Sequence, residues 1–119
     1  MTAQEFVAVV RKEMITKVLE RYRHVLDSAD RDAVKDPVWR EVVHGWDTLN
    51  AKQRKAVLRF VRLAIVDTLS YVFGVLDNTS FLDRYRDRFI LEYGSKREKV
   101  SGDLQDYFLA AEEDEPEEA

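Results

Sequence analysis

Residues 50–77 carry apolar side chains on almost every side of a helical projection. At 100° per residue, one wide face holds Val57, Val61, Ala64, Ile65, Thr68, Val72 and Val75. The opposite polar stripe is thin, and Leu63, Val66 and Phe73 interrupt it. Because such a helix needs at least two packing partners, the pattern predicts a buried central helix in a small, mainly α bundle.

Capping residues mark the ends of the predicted helices. Asn50 and Gln53 form a capping-box pair before the central helix, and Thr2 and Glu5 form another before a helix over residues 3–26. The predicted buried face of this first helix consists of Val7, Val10, Met14, Val18, Tyr22 and Val25.

A short helix is predicted to begin at Pro37, because Asp36 can cap it and proline suits a first helical turn. Gly45 is the expected terminator of this helix. Its apolar positions, at helical spacing, are Trp39, Val42, Val43 and Trp46.

The segment over residues 80–100 fits two patterns. Its first half has aromatic residues at helical spacing, whereas residues 88–93 (RFILEY) have strand composition and precede Gly94. We expect a helical turn and then a short strand or hairpin near residues 88–100.

A closing helix over residues 101–111 would complete a single domain, residues 1–111. The acidic residues 112–119 should form a disordered tail.

Composition suits one helical globular domain. The chain has 119 residues, of which 45% are apolar and 35% charged. Absence of cysteine excludes a disulfide framework and thiolate catalysis, and it fits a reducing compartment. The first residues do not resemble a signal peptide, so we expect a cytoplasmic protein.

Residues 57–76 have the length of a membrane span. Arg59, Arg62 and Asp67 would each cost about 3 kcal/mol near the bilayer centre, which argues against a transmembrane helix.

Residues 49–77, an extended segment after them, and the sequence SGDLQDYF over residues 101–108 resemble small uncharacterised bacterial helical proteins. These share a similar helix start, a long apolar helix, a strand and a Ser-Asp-Gly-Leu turn. Here the turn residues have a different order, with Gly102 before Asp103. The resemblance, over residues 49–108, implies a strand and a bacterial origin, but it implies no activity.

Groups that could carry chemistry are few. The two histidines, His24 and His44, lie on different predicted helices, and neither has a metal-ligand partner at the spacing that a helical site uses. Asp67 lies within the apolar helix, where a carboxylate is more often paired with arginine or partly exposed than catalytic. No second group for acid–base catalysis can be nominated beside it. We therefore predict no catalytic, cofactor-binding or metal-binding residue.

Two sets of residues are candidates for binding. The first is a basic patch at the start of the central helix, formed by Lys52, Arg54, Lys55, Arg59 and Arg62. The net charge of −4 becomes +2 when the six acids of the predicted tail are set aside, so the predicted body is mildly basic. The second set, Trp39, Arg40 and Trp46, has the residue types of protein-binding hot spots, although core packing also explains the tryptophans.

From these patterns we expect a non-catalytic protein that binds another protein, as an accessory factor, an inhibitor or a homodimer. The alternative is a nucleic-acid-associated regulator that uses the basic patch.

Overall fold

The computed structural model describes residues 1–28 and 30–115, and its architecture is mainly α, as predicted. A continuous helix consists of α1 (Ala3–Arg11), a π-helical turn (Lys12–Thr16) and α2 (Lys17–Asp27). It is followed by a 3-10 turn (Arg31–Ala33), α3 (Pro37–Trp46) and the 26-residue α4 (Ala51–Leu76). An antiparallel hairpin of β1 (Glu92–Tyr93) and β2 (Glu98–Lys99) precedes α5 (Leu104–Glu113).

The predicted caps are present in the structure. Thr2 and Glu5 form a complete capping box at α1, as Asn50 and Gln53 do at α4. At α3, the Asp36 carboxylate accepts the backbone N–H of Trp39 at 3.0 Å. These bonds satisfy N–H groups that have no partner within the first turn of a helix.

The π-helical turn changes which side of the first helix is buried. A π turn accommodates one more residue than an α-helical turn, so side chains after it shift around the helix. Ile15 is consequently buried at 2% exposure, whereas Met14 is 49% exposed. The prediction that Met14 belongs to the buried face is therefore wrong, and Ile15 takes its place.

Two separate apolar clusters hold the helices together. The larger joins α1, the π turn, α4 and α5; its buried members are Val7, Val10, Ile15, Phe73, Val100, Leu104 and Phe108. The smaller joins α2 and α3 through Leu26, Val43 and Trp46, with Leu58 of α4 packed against it. The middle of α4 therefore spans the distance between two cores.

Three predicted boundaries need correction. Residues 80–91 contain no helical turn, and the aromatic side chains at helical spacing lie in an irregular segment. Gly45 does not end α3, because the helix continues to Trp46. The sequence places Glu112 and Glu113 in the acidic tail, whereas both belong to α5, where Glu112 is held by two arginines. Residues 116–119 of the predicted tail lie outside the described residues.

The chain is extended for its size. Its principal extents are 49 × 31 × 29 Å and its radius of gyration is 17.8 Å, whereas a compact domain of this length has a radius of gyration of about 13.5 Å.

Within the two described ranges, no helix combines the length and apolarity needed to cross a membrane.

Candidate functional site

The long helix α4 is covered on one side only. Leu58, Ile65 and Leu69 lie on its inner side, which packs against α2, the π turn and α5. The opposite side is exposed along almost four turns. We call this side the outer face; it consists of Val57, Phe60, Ala64, Asp67, Thr68 and Tyr71. The prediction that α4 is a buried central helix is therefore wrong for its outer face.

Large apolar side chains on the outer face are open to solvent. Phe60 is 70% exposed and Tyr71 is 50% exposed. Spacings of three and four residues from Val57 through Phe60 and Ala64 to Thr68 place these side chains in one row. This is the arrangement by which one helix packs against another.

The uncharged polar groups on the outer face have partners within the chain. The Thr68 hydroxyl donates to the backbone carbonyl of Ala64 at 2.8 Å. The Tyr71 hydroxyl donates to the backbone carbonyl of Phe81 at 3.0 Å. Asp67 differs, because its carboxylate makes no ion pair or side-chain hydrogen bond with any described residue. The outer face is thus an apolar strip that carries one carboxylate.

A second exposed segment, in which apolar and charged residues are mixed, adjoins the outer face. We call residues 81–90 the arm; every residue in it is exposed, and its apolar members are Phe81, Leu82, Tyr85, Phe89 and Ile90. Asn78 holds the far end of the arm, since its side chain donates to the Phe89 carbonyl and accepts the Phe89 N–H. The Tyr71–Phe81 bond joins the near end to the outer face, so the two apolar surfaces are continuous.

A cleft of about 350 Å³ lies beside α4, near its basic half. Leu19, Leu58, Leu63 and Val66 provide its apolar lining, and its charged lining consists of Arg23, Lys55, Arg59, Arg62, Glu112 and Glu115. Asp67 does not line this cleft. The cleft therefore does not combine Asp67 with a second titratable group.

Glu112 organises the cations around the cleft. Its carboxylate accepts two hydrogen bonds from Arg62, at 2.8 and 3.0 Å, and two from Arg11, at 3.2 and 2.8 Å. Partial burial of Glu112 opposes ionisation, but the bonds from Arg62 and Arg11 outweigh it and lower the pKa of the carboxyl. Arg11 also bonds Glu115 at 2.6 Å. No local pattern predicts this network, because Glu112 is indistinguishable in the sequence from its acidic neighbours.

The structure divides the predicted basic patch. Lys55, Arg59 and Arg62 line the cleft together. Arg54 instead stacks 5.2 Å from the centre of the Trp46 ring and donates to the Trp46 carbonyl. Lys52 is exposed and is not part of the cleft lining. The five basic residues therefore do not form one surface.

The predicted hot spot is also divided. Trp46 is only 4% exposed in the smaller core. Trp39 is half-buried and contacts Tyr22 edge-on, with ring centres 5.0 Å apart. Arg40 is exposed. Both tryptophans thus contribute to packing between α2, α3 and the start of α4, and Trp46 is not available on the surface.

Both histidines, His24 and His44, are exposed. Among the described residues, no group of three or more His, Asp or Glu side chains is placed to hold a metal ion.

Comparisons with protein-family models, curated proteins and solved structures found no match. The resemblance of residues 49–108 to small bacterial proteins therefore stays a prediction from the sequence.

Proposed function

We propose that this chain is a non-catalytic interaction protein, acting as an accessory factor, an inhibitor or a homodimer, that binds a protein partner through the outer face of α4 and the arm. One observation carries the proposal: the longest helix that the structure describes, α4, has an uncovered side with large apolar side chains. Soluble monomers rarely leave continuous apolar surfaces of this kind exposed, and such surfaces mark interaction sites.

Covering the outer face and the arm would stabilise a complex, because apolar area is then removed from water. Removing apolar area from water contributes about 25 cal/mol per Å², and aromatic side chains supply the most area per residue. Phe60 and Tyr71 already lie in a regular helix, so little backbone ordering is lost when a partner packs on them. The arm adds further apolar side chains beside the same helix.

The basic patch gives weaker support to a nucleic-acid-associated regulator. Arg62 is neutralised by Glu112, and Arg54 is engaged by Trp46. Only part of the predicted positive charge is therefore free to meet phosphates. A cytoplasmic location stays a prediction from the first residues of the sequence and from its cysteine-free composition.

A photo-crosslinking amino acid at position 60 tests the proposal, with position 38 as the matched control. Phe60 is 70% exposed and Val38 on α3 is 69% exposed, so both probes are equally accessible. In the native cell, we expect covalent adducts with protein from position 60 and few from position 38. Absence of adducts from position 60, or equal yields from both positions, would contradict the proposal.

A further inference from the structure

We infer that the protein covering the outer face is a second copy of this chain, so that two α4 helices pack antiparallel about a two-fold axis near Ala64. This inference rests on the proposed function and adds the identity of the partner. Four observations support it: the surface area, the order of side-chain sizes, the position of Asp67 and the position of the arm.

The exposed area is large enough for the interface of a stable dimer. The chain exposes 9009 Å², whereas a compact folded monomer of 14.0 kDa exposes about 6,700 Å². The excess of roughly 2,000 Å² belongs to the whole elongated chain, of which the outer face and the arm are one part. Obligate dimers bury about 2,000–5,000 Å² in total, or half of this from each subunit, so an interface of that size can be drawn from the excess.

Two outer faces are complementary in shape when the helices are antiparallel, because residues equally far before and after Ala64 differ in side-chain size. Ala64 lets two helix backbones approach closely. Phe60, four residues before it, then faces Thr68 of the partner subunit, four residues after it, so a large side chain meets a small one. Val57 similarly faces Tyr71 of the partner subunit. Alternation of large and small side chains allows two helices to interdigitate.

Asp67 explains why the pairing should be antiparallel. Covering an unpaired carboxylate is costly unless a cation accompanies it. In the proposed pair, the partner's Arg59 lies on the same flank as Asp67 and two positions from it along the helix axis, or about 3 Å. At 100° per residue, Arg59 starts about 140° around α4 from Ala64, on the side of the cleft that it lines, so its long side chain would turn out of the cleft to reach Asp67. Arg59, like Asp67, has no ion pair with a described residue of its own chain. Two such cross-pairs would form, one on each side of the axis.

The arm fits the same arrangement. Tyr71 holds Phe81 near the end of α4, and antiparallel packing brings this end beside the start of α4 in the second copy. The apolar residues of the arm would then cover the partner's Phe60, which is the most exposed apolar side chain of the outer face. Helix and arm thus form one interface, repeated by symmetry.

Sedimentation equilibrium on the full chain tests this inference. We expect a mass twice 14.0 kDa for the wild type. Phe60→Glu should give the monomer mass with an unchanged helical circular dichroism spectrum, because this exposed side chain contributes little to the fold of one chain. Val38→Glu, at a position of equal exposure, should remain a dimer.

Charge exchange tests the antiparallel register. Asp67→Arg should raise the dimer dissociation constant by roughly tenfold or more, because it places like charges together. Adding Arg59→Glu to that variant should restore most of the affinity. A double variant no tighter than the single one would overturn the antiparallel arrangement, and a dimer unaffected by Phe60→Glu would overturn the choice of surface.

A wild-type chain that stays at 14.0 kDa at all concentrations would overturn self-association itself. In that case the crosslinking result separates the two proposals. Adducts from position 60 with a different protein would leave the proposed function standing, whereas no adducts at all would remove both.

Discussion

The carboxylate of Asp77 accepts the backbone N–H of Gln105 at 2.8 Å and so joins the end of α4 to the start of α5. The same carboxylate accepts the N–H groups of Gly102 at 2.7 Å and Leu104 at 3.1 Å. Asp103, which occupies the N-cap position of α5, makes no side-chain capping bond. The first turn of α5 is therefore capped by a residue from a distant part of the chain.

Asp77→Ala should destabilise the protein by about 2 kcal/mol, because it leaves three backbone donors at the start of α5 without their acceptor. Asp103→Ala should cost only a few tenths of a kcal/mol, as it removes no capping bond. Urea unfolding, followed by circular dichroism, measures both. Equal losses from the two variants would show that Asp77 does not provide the cap.

This cap shows what a sequence pattern can and cannot supply. The boxes at Thr2 and Asn50 are visible in the sequence because their partners lie three residues apart. Asp77 caps α5 across 28 positions, and no local pattern records such a contact. Helix positions were thus predictable where local hydrogen bonds decide them, whereas the links between helices were not.

The π-helical turn predicts a contrast between neighbouring residues. Ile15→Ala should cost about 2–4 kcal/mol, since it opens a cavity in the larger core. Met14→Ala should change the free energy of unfolding by less than about 1 kcal/mol, because half of its side chain is already exposed. A regular α-helix would reverse this order. Urea denaturation of the two variants distinguishes the alternatives.

The glycines give a second contrast. Gly45 lies within α3, and an added Cβ would meet no atom within 4 Å, so Gly45→Ala should stabilise the protein by about 0.5–1 kcal/mol. Gly94, in the hairpin turn, has a φ of +83°, which disfavours a side chain. Gly94→Ala should therefore destabilise by about 1 kcal/mol. Thermal unfolding should show a higher Tm for the first variant and a lower Tm for the second; a lower Tm for Gly45→Ala would contradict its helical placement.

The candidate site was foreseeable in part. An apolar pattern on all sides of α4 correctly indicates that the helix needs several packing partners, but it cannot say whether they belong to the same chain. The structure assigns the inner side to α2 and α5 and leaves Phe60 and Tyr71 uncovered. Under the proposed function, part of the core pattern in the sequence belongs to a complex rather than to one chain.

Glu112 predicts a specific pH dependence of stability. Burial opposes its ionisation, but the hydrogen bonds from Arg62 and Arg11 hold its pKa below the ordinary value. A carboxyl with a lowered pKa in the folded state contributes stability fully above the ordinary pKa that it has in the unfolded chain. This contribution is lost as the pH falls through the folded pKa.

Glu112→Gln should accordingly destabilise the chain by about 1–2 kcal/mol at pH 7, discounted for partial exposure of the ion pairs. Glu113→Gln is the matched control, because Glu113 is exposed and forms no ion pair with a described residue. Urea unfolding from pH 7 to pH 3 measures the difference between wild type and each variant. For Glu112→Gln this difference should be constant above about pH 5 and should shrink below pH 4. A difference that persists unchanged at pH 3 would mean that ionised Glu112 is not what joins Arg11 and Arg62, and that neutral contacts hold the end of α5.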